Sequence, residues 1–342
     1  MTGLIETLRT TPALIAPDGG ALEVRARHET HSALVLCTEA LALKVRKPVD
    51  LGFLDYSTRA RRHAATHAEL ALGRRISPWI YTGAWSLIFG GAPTLVHRDD
   101  AGEPVLAMTA LEEKGRLDRV VQASPDGVPV GFDDVADFCA AFHAQCPVDR
   151  MPSGRGEPSK TWAAWEVNFT ELPGEEATLP LPASMRRHLI EDTARWWRTH
   201  QELLQQRVLA GRVCDGHGDL RVEHVYTIPR VALIDPLEFA PHYRFTDVGA
   251  EVGFLVMELL ELRRPDLADR LLERYTAQAS DDTLRDVLPF FVRYRAVVRA
   301  KVEWIRALQI DGAAREVGLR RSQQLFELAA RADLKGAGAG PK

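Results

Sequence analysis

The sequence predicts an α+β protein in two parts: a small antiparallel sheet with one long helix, then a larger, mainly helical region. Three observations predict this. Short apolar runs bounded by polar turns crowd the first hundred residues, and helix-period patterns take over from residue 132. A polar loop at 215–225 then interrupts the helices and is followed by one short apolar run ending in Asp235. With 342 residues, 46% of them apolar and 26% charged, the chain has room for two lobes or domains.

Leu4, Ile5 and Leu8 have helical spacing, so a short amphipathic helix precedes the sheet. Residues 23–27, 33–37 and 40–45 read as successive strands. Lys44 and Arg46 share one face of the third strand, while Lys47 falls on the other, directly before Pro48. Asp55, Ser57 and Thr58 supply capping side chains for an Ala-rich helix through Arg75. Residues 80–83, 86–89 and 104–108 complete a sheet of five or six strands, with turns at Gly90-Gly91 and 98–102.

The helical part opens at 132–145, where Val135, Phe138, Cys139 and Phe142 share a face and Pro147 ends the helix. Trp162, Trp165 and Phe169 follow in a short helix; core or lid packing outweighs stacking on a sugar or base. Further helices are expected over 185–209, with Trp196 and Trp197, then from about 248, over 259–278, over 284–310 and over 312–332. Arg293, Arg295, Arg299, Lys301 and Arg306 read as mostly a solvated face, and the end of the chain as a flexible tail.

A formal net charge of −4 gives no electrostatic footprint for nucleic acid or anionic membrane. No apolar stretch of about 18 residues occurs, and the start of the chain lacks a signal-peptide layout, so a cytoplasmic location is expected. Cys37, Cys139, Cys146 and Cys214 form no C-x-x-C pair and read as reduced core residues. The near-miss to a Walker A loop at 154–161 has Ser159 where glycine must let backbone approach phosphate, and no buried strand precedes it.

The chemistry gathers in Asp215-Gly216-His217-Gly218-Asp219-Leu220-Arg221-Val222-Glu223-His224-Val225 and in Asp235, sixteen residues beyond Asp219. This pattern resembles the catalytic loop and metal-binding strand end of the protein-kinase-like superfamily, most closely its aminoglycoside-phosphotransferase branch. The resemblance implies that Asp219 receives the proton of a substrate hydroxyl, that Asp235 holds Mg2+, and that Arg221 offsets γ-phosphate charge. His224 stands where the family has Asn. Mg2+ prefers oxygen ligands, so an imidazole there favours Mn2+ or leaves a second metal to Asp235 and water. Lys44, in Ala-Leu-Lys, stands where kinases carry the lysine of the α and β phosphates, with Glu69 as its helical partner. The backbone from Met108 to Leu111 would form the adenine hinge. No G-x-G-x-x-G loop is present, so Thr30-His31-Ser32-Ala33, with the Ser32 hydroxyl, is the candidate phosphate-facing turn. Asp247 would cap the helix after the metal Asp and brace the loop. Glu238 is read either as a ligand for the metal or a cationic substrate, or as a surface carboxylate.

Lys47-Pro48-Val49-Asp50-Leu51-Gly52-Phe53-Leu54-Asp55, Arg74-Arg75, Glu238-Phe239 and Arg295-Ala296 with Arg299-Ala300-Lys301 are similar to one bacterial group within that branch. Longer members carry a further P-loop domain, and this chain ends before one. The resemblance implies a bilobal protein-kinase-like fold: an N-lobe over 1–107, a helical C-lobe over 108–334 and a tail at 335–342. It implies transfer of the ATP γ-phosphate to a hydroxyl of a small polar molecule such as an aminoglycoside or amino sugar. GTP and Mn2+ are the alternative nucleotide and metal. A pseudokinase, AMP transfer and protein phosphorylation are the rival readings; the short interval from Asp235 to Asp247 weighs against the last.

Overall fold

Burial alternates along the first hundred residues, and the apolar stripe it creates is what closes them into one sheet. The computed structural model describes residues 2–332 except 53, 99–101, 149, 152–153, 155–156 and 171–178, so the tail predicted at 335–342 lies outside the described residues. The chain divides into two compact units, one of residues up to 119 with 224–240, the other of residues 120–223 with those from 241 onward.

In the first unit, helix α1 (Thr2–Thr10) precedes strands β1 (Ala13–Ile15), β2 (Ala21–Glu23), β3 (Ala26–Glu29), β4 (Ala33–Cys37) and β5 (Leu41–Arg46). Helix α2 (Arg59–Ile76) and strands β6 (Tyr81–Ile88), β7 (Thr94–Val96) and β8 (Glu103–Thr109) follow. The eight strands lie in the order β2-β1-β7-β6-β8-β5-β4-β3. Leu34, Leu36, Leu43, Val45, Val105 and Ala107 bury on one face with Ile5 and Leu8 of α1. Period-2 alternation therefore turns Lys44 to the opposite face, where Leu70 of α2 packs with Leu106 and Met108. The side chain of Thr58 accepts from the Arg61 N–H, capping α2 as its sequence predicts.

Some strands differ from expectation. The run at 23–27 splits into β2 and β3. The segments at 80–83 and 86–89 form one strand, β6, whose register shifts between Tyr81 and Gly83. Ala84 and Trp85, in the gap expected between the two segments, pair regularly with Leu106 and Val105. Strands β1 and β7 were missed because three residues are too short for periodicity to register.

The boundary also differs from 107/108. The hairpin of β10 (Val225–Tyr226) and β11 (Ala232–Leu233) returns to the sheet unit, where Tyr226 and Ala232 join the core beside Leu106. Leu233 N–H donates to Ser77 Oγ at 2.9 Å, and Thr227 N–H to the Gly115 carbonyl at 2.8 Å. These bonds carry the strand end at Asp235 into the same unit as Lys44.

Helix α3 (Leu117–Ala123) follows the sheet, and the second unit contains α4 (Phe132–Gln145), at its predicted bounds, with α5 (Pro158–Thr170), α6 (Ala183–Leu209), α7 (Pro241–Arg244), α8 (Val248–Glu261), α9 (Pro265–Ala279), α10 (Leu284–Leu308) and α11 (Gly312–Arg331). Helix α10 is buried on most sides, and the solvated face expected on it is not found for three of its arginines. Arg293, Arg295 and Arg299 are buried and donate to the Ala329 and Ala332 carbonyls, the Ala250 carbonyl and the Glu303 carboxylate respectively. Of the five, Arg306 alone is exposed. Trp165 and Phe169 are core residues, edge to face at 5.2 Å, and Trp165 also meets Phe290. Among the described residues no helix is long and apolar enough to cross a membrane.

Gly73 of α2 lies directly against the Tyr81 ring, so that a β-carbon there would overlap it. Gly73→Ala is expected to destabilise the protein by about 1–3 kcal/mol in urea unfolding. An unchanged midpoint would contradict the close packing of Tyr81 on α2.

Candidate active site

Strand β5 places Lys44 on the face that α2 covers, and α2 answers with a carboxylate. Lys44 Nζ donates to Glu69 Oε1 at 2.9 Å and Oε2 at 2.8 Å, and to Asp235 Oδ1 at 2.5 Å. Glu69 has 1% of its side chain exposed, Lys44 14% and Asp235 47%, so the cluster opens to solvent through Asp235. Burial by itself would push the Lys44 ammonium down. The charges of Asp235 and Glu69 outweigh it and hold the group above the usual lysine range. Lys44 is a fixed cation at any physiological pH.

Asp235 adopts a left-handed backbone, φ +60°, which costs a non-glycine residue energy that its surroundings must supply. Its N–H donates to the Tyr81 hydroxyl at 2.9 Å, and the preceding Ile234 N–H donates to the His224 carbonyl at 2.9 Å. His224 Nε2 lies 3.8 Å from Asp235 Oδ2. The donor chemistry fits a Mg2+ that arrives on a nucleotide: one partly exposed carboxylate, with phosphate oxygens and water completing the shell. The imidazole of His224 is the ligand that fits Mg2+ poorly and Mn2+ better.

Beyond Lys44 on the same face, Arg46 is 1% exposed. Its Nη2 donates to Glu69 Oε2 at 2.5 Å and Glu238 Oε1 at 2.9 Å, and its Nη1 to Thr66 Oγ1 at 2.9 Å. Glu238 also accepts from the Tyr56 hydroxyl. Both readings of Glu238 therefore need correction: its carboxylate is 6% exposed and spent on Arg46 and Tyr56, so it is neither a surface group nor a free ligand for metal or substrate. The sequence placed Arg46 on the Lys44 face but gave no sign of its partner 192 residues away.

The remaining candidates of this unit sit around β5. Ala33 pairs with Arg46, and the Ser32 carbonyl accepts from Lys47 N–H at 2.7 Å, which holds the turn at the Lys44 end of the strand. Lys47 Nζ is taken up by the Thr30 carbonyl and Glu29. Met108 pairs with Ala42, two residues before Lys44 on the same face, and Leu111 packs partly buried beside Met108 and Tyr226.

The loop carrying Asp219 is built by the helical unit. Strand β9 (Val213–Asp215) pairs antiparallel with β12 (Phe245–Asp247), and Asp247 Oδ1 accepts from the Gly249 N–H, capping α8 as expected. The other role of Asp247 is to grip Arg207 through both oxygens. Gly216 lies against Glu251 with no room for a β-carbon, and the left-handed Gly218 donates its N–H to Glu251 Oε1 at 2.6 Å. His217 is fully buried beneath the loop, and Asp219 is partly exposed.

Arg221 lies among carboxylates of its own unit. It is 9% exposed, with Nε on Glu258 Oε1 at 2.8 Å and Nη1 on Glu223, while Glu258 Oε2 also accepts the Val222 N–H. These bonds brace the loop that carries Asp219. The helical unit thus presents Asp219, and the sheet unit brings together Lys44, Glu69, Asp235 and His224.

Comparison with known proteins bears on the fold. No family model matches the chain. A structure of aminoglycoside 2'-phosphotransferase-IIIa in complex with GDP covers 95% of this chain and 97% of its own, at 15% identity and a TM-score of 0.55. An ethanolamine kinase of Plasmodium vivax covers 88% and 81% at 7% identity and a TM-score of 0.50. The chain has the protein-kinase-like fold, in the form adopted by aminoglycoside phosphotransferases. In sequence it is 32% identical over 286 residues to the uncharacterized proteins Rv2004c of Mycobacterium tuberculosis and Mb2027c of Mycobacterium bovis. That match takes in 82% of this chain and 55% of theirs, so the chain spans about half the length of these relatives.

Burial would push the Glu251 carboxyl up, but the bond from His143, the charge of His217 and the Gly218 N–H hold it down to about 2. A depressed carboxylate adds stability above its unfolded value of about 4.5 and loses it as pH falls through the folded one. Glu251→Gln is expected to cost about 2–3 kcal/mol near neutral pH. In denaturant titrations the gap to wild type should close between about pH 4.5 and 2. A gap that is constant down to acid pH would show that Glu251 does not carry this load.

Proposed function

We propose that the protein transfers the γ-phosphoryl group of ATP to a hydroxyl of a small polar molecule, with an aminoglycoside or amino sugar as the acceptor class and GTP as the alternative donor. The observation that carries the reading is Lys44 held between Glu69 and Asp235, an ammonium fixed in place and charge, beside a carboxylate with half its surface open. Phosphoryl transfer needs little covalent chemistry from the protein and depends on positioning and on neutralising phosphate charge.

In this reading Lys44 would bind the α and β phosphates with Glu69 fixing its ammonium, and Asp235 would hold Mg2+. The metal supplies charge neutralisation when bound. Asp219 orients the acceptor hydroxyl and takes its proton. The backbone from Met108 to Leu111 receives the base, and the turn at Ser32 covers the phosphates. Asp219 is suited to its task because its loop is rigid: Glu251 holds Gly218 on one side, and Glu258 holds Arg221 and Val222 on the other. A cytoplasmic location goes with this chemistry.

Asp219→Asn is expected to lower turnover at least about 100-fold while leaving nucleotide affinity within about twofold. Mass spectrometry of candidate acceptors incubated with ATP reads the chemistry directly. A gain of about 80 Da supports phosphoryl transfer. An adenylylated product, or full activity in Asp219→Asn, would sink the assignment.

A further inference from the structure

Arg46, Glu238 and Tyr56 form a second buried cluster behind Lys44, and the phosphotransfer reading gives it no task. It is costly to bury. Taking a guanidinium and a carboxylate out of water carries a desolvation penalty that hydrophobic residues of the same volume would avoid. The cluster sits where the penalty has a use. Asp235 has a strained backbone and must be pinned on both flanks. Upstream, the pins are the His224 carbonyl and the Tyr81 hydroxyl. Downstream, Glu238, three residues on, is gripped by Arg46 Nη2 at 2.9 Å and by Tyr56. The Arg46 guanidinium also lies 5.4 Å from the Tyr56 ring centre, so the clamp is packed as well as bonded.

Charge points the same way. Glu69, Glu238 and Asp235 face Lys44 and Arg46, leaving one negative charge in excess. Glu69 and Glu238 are buried and Asp235 is 47% exposed, so the excess is presented to solvent at Asp235, where a divalent cation is wanted. Without Arg46, two buried carboxylates would compete for the Lys44 ammonium and draw it away from Asp235.

We propose that Arg46, Glu238 and Tyr56 are positioning residues that set the metal-binding pose of Asp235 and reserve Lys44 for phosphate. This rests on the phosphotransfer reading. The clamp acts on the metal through Asp235 and touches neither nucleotide nor acceptor. Its signature is a loss in the metal-dependent part of nucleotide binding, which a general loosening of the fold would not single out.

The test is calorimetric titration of ADP into the whole protein, once in EDTA and once in excess Mg2+, for wild type, Glu238→Gln, Tyr56→Phe and Arg46→Lys. Glu238→Gln is nearly isosteric, and Tyr56→Phe removes only a hydroxyl, so thermal melts can confirm that both fold. Wild type should bind ADP more tightly with Mg2+ than without. Glu238→Gln should lose about tenfold of that enhancement, the size expected for groups that orient a metal ligand, while its affinity in EDTA stays within about twofold. Tyr56→Phe and Arg46→Lys should lose part of it. An enhancement equal to wild type in folded Glu238→Gln, or equal losses with and without Mg2+, would overturn the clamp. Failure of wild type to bind ADP under either condition would instead overturn the phosphotransfer reading beneath it.

Discussion

The ion pair between Lys44 and Glu69 is the constraint on which the rest of the sheet unit depends. An ammonium and a carboxylate removed from water must find each other with good geometry or cost several kcal/mol each. Here Glu69 accepts at both oxygens from Lys44 and again from Arg46. Satisfying that demand fixes how α2 lies on the sheet, because Thr66 and Glu69, one turn apart, must both meet β5. The apolar contacts of Leu70 with Leu106 and Met108 then seal the same face.

Asp235 completes the arrangement from far along the chain. The hairpin at 225–233 inserts apolar side chains into the sheet unit and delivers the strand end beside Lys44. Tyr81 links the parts. Its ring fills the space left by Gly73, while its hydroxyl receives the Asp235 N–H. Fold and chemistry meet there, since the packing that stabilises α2 against β6 also holds the carboxylate in an unfavourable backbone conformation.

The helical unit solves the parallel problem for Asp219 with charged groups buried beneath the loop. Glu251, itself held by His143, takes the Gly218 N–H, and Glu258 takes Arg221 and Val222. Arg207 ties Asp247 to Asp281 through bidentate contacts to each. Such braces hold the backbone on both sides of Asp219.

Short-range signals made much of this legible in the sequence. The Lys44 strand, the Thr58 cap, the Glu69 helix and helix 132–145 follow from periodicity and capping, and the Asp219 loop and Asp235 from motif spacing. Pairings between residues remote in sequence were not legible. Glu238 reads as either a ligand or a surface carboxylate until Arg46 and Tyr56 are seen around it, and the arginines of α10 read as solvated because burial on most sides of a helix blurs its periodic trace. The pairing of Arg221 with Glu258, a helix away, is of the same kind. The central claim is that Lys44 and Asp235 exist to hold nucleotide phosphates. Phosphorus NMR of Mg·ATP titrated with the protein tests it most directly: the α and β resonances should shift with wild type and stay at their free positions with Lys44→Met, whereas identical spectra for the two proteins would contradict the account.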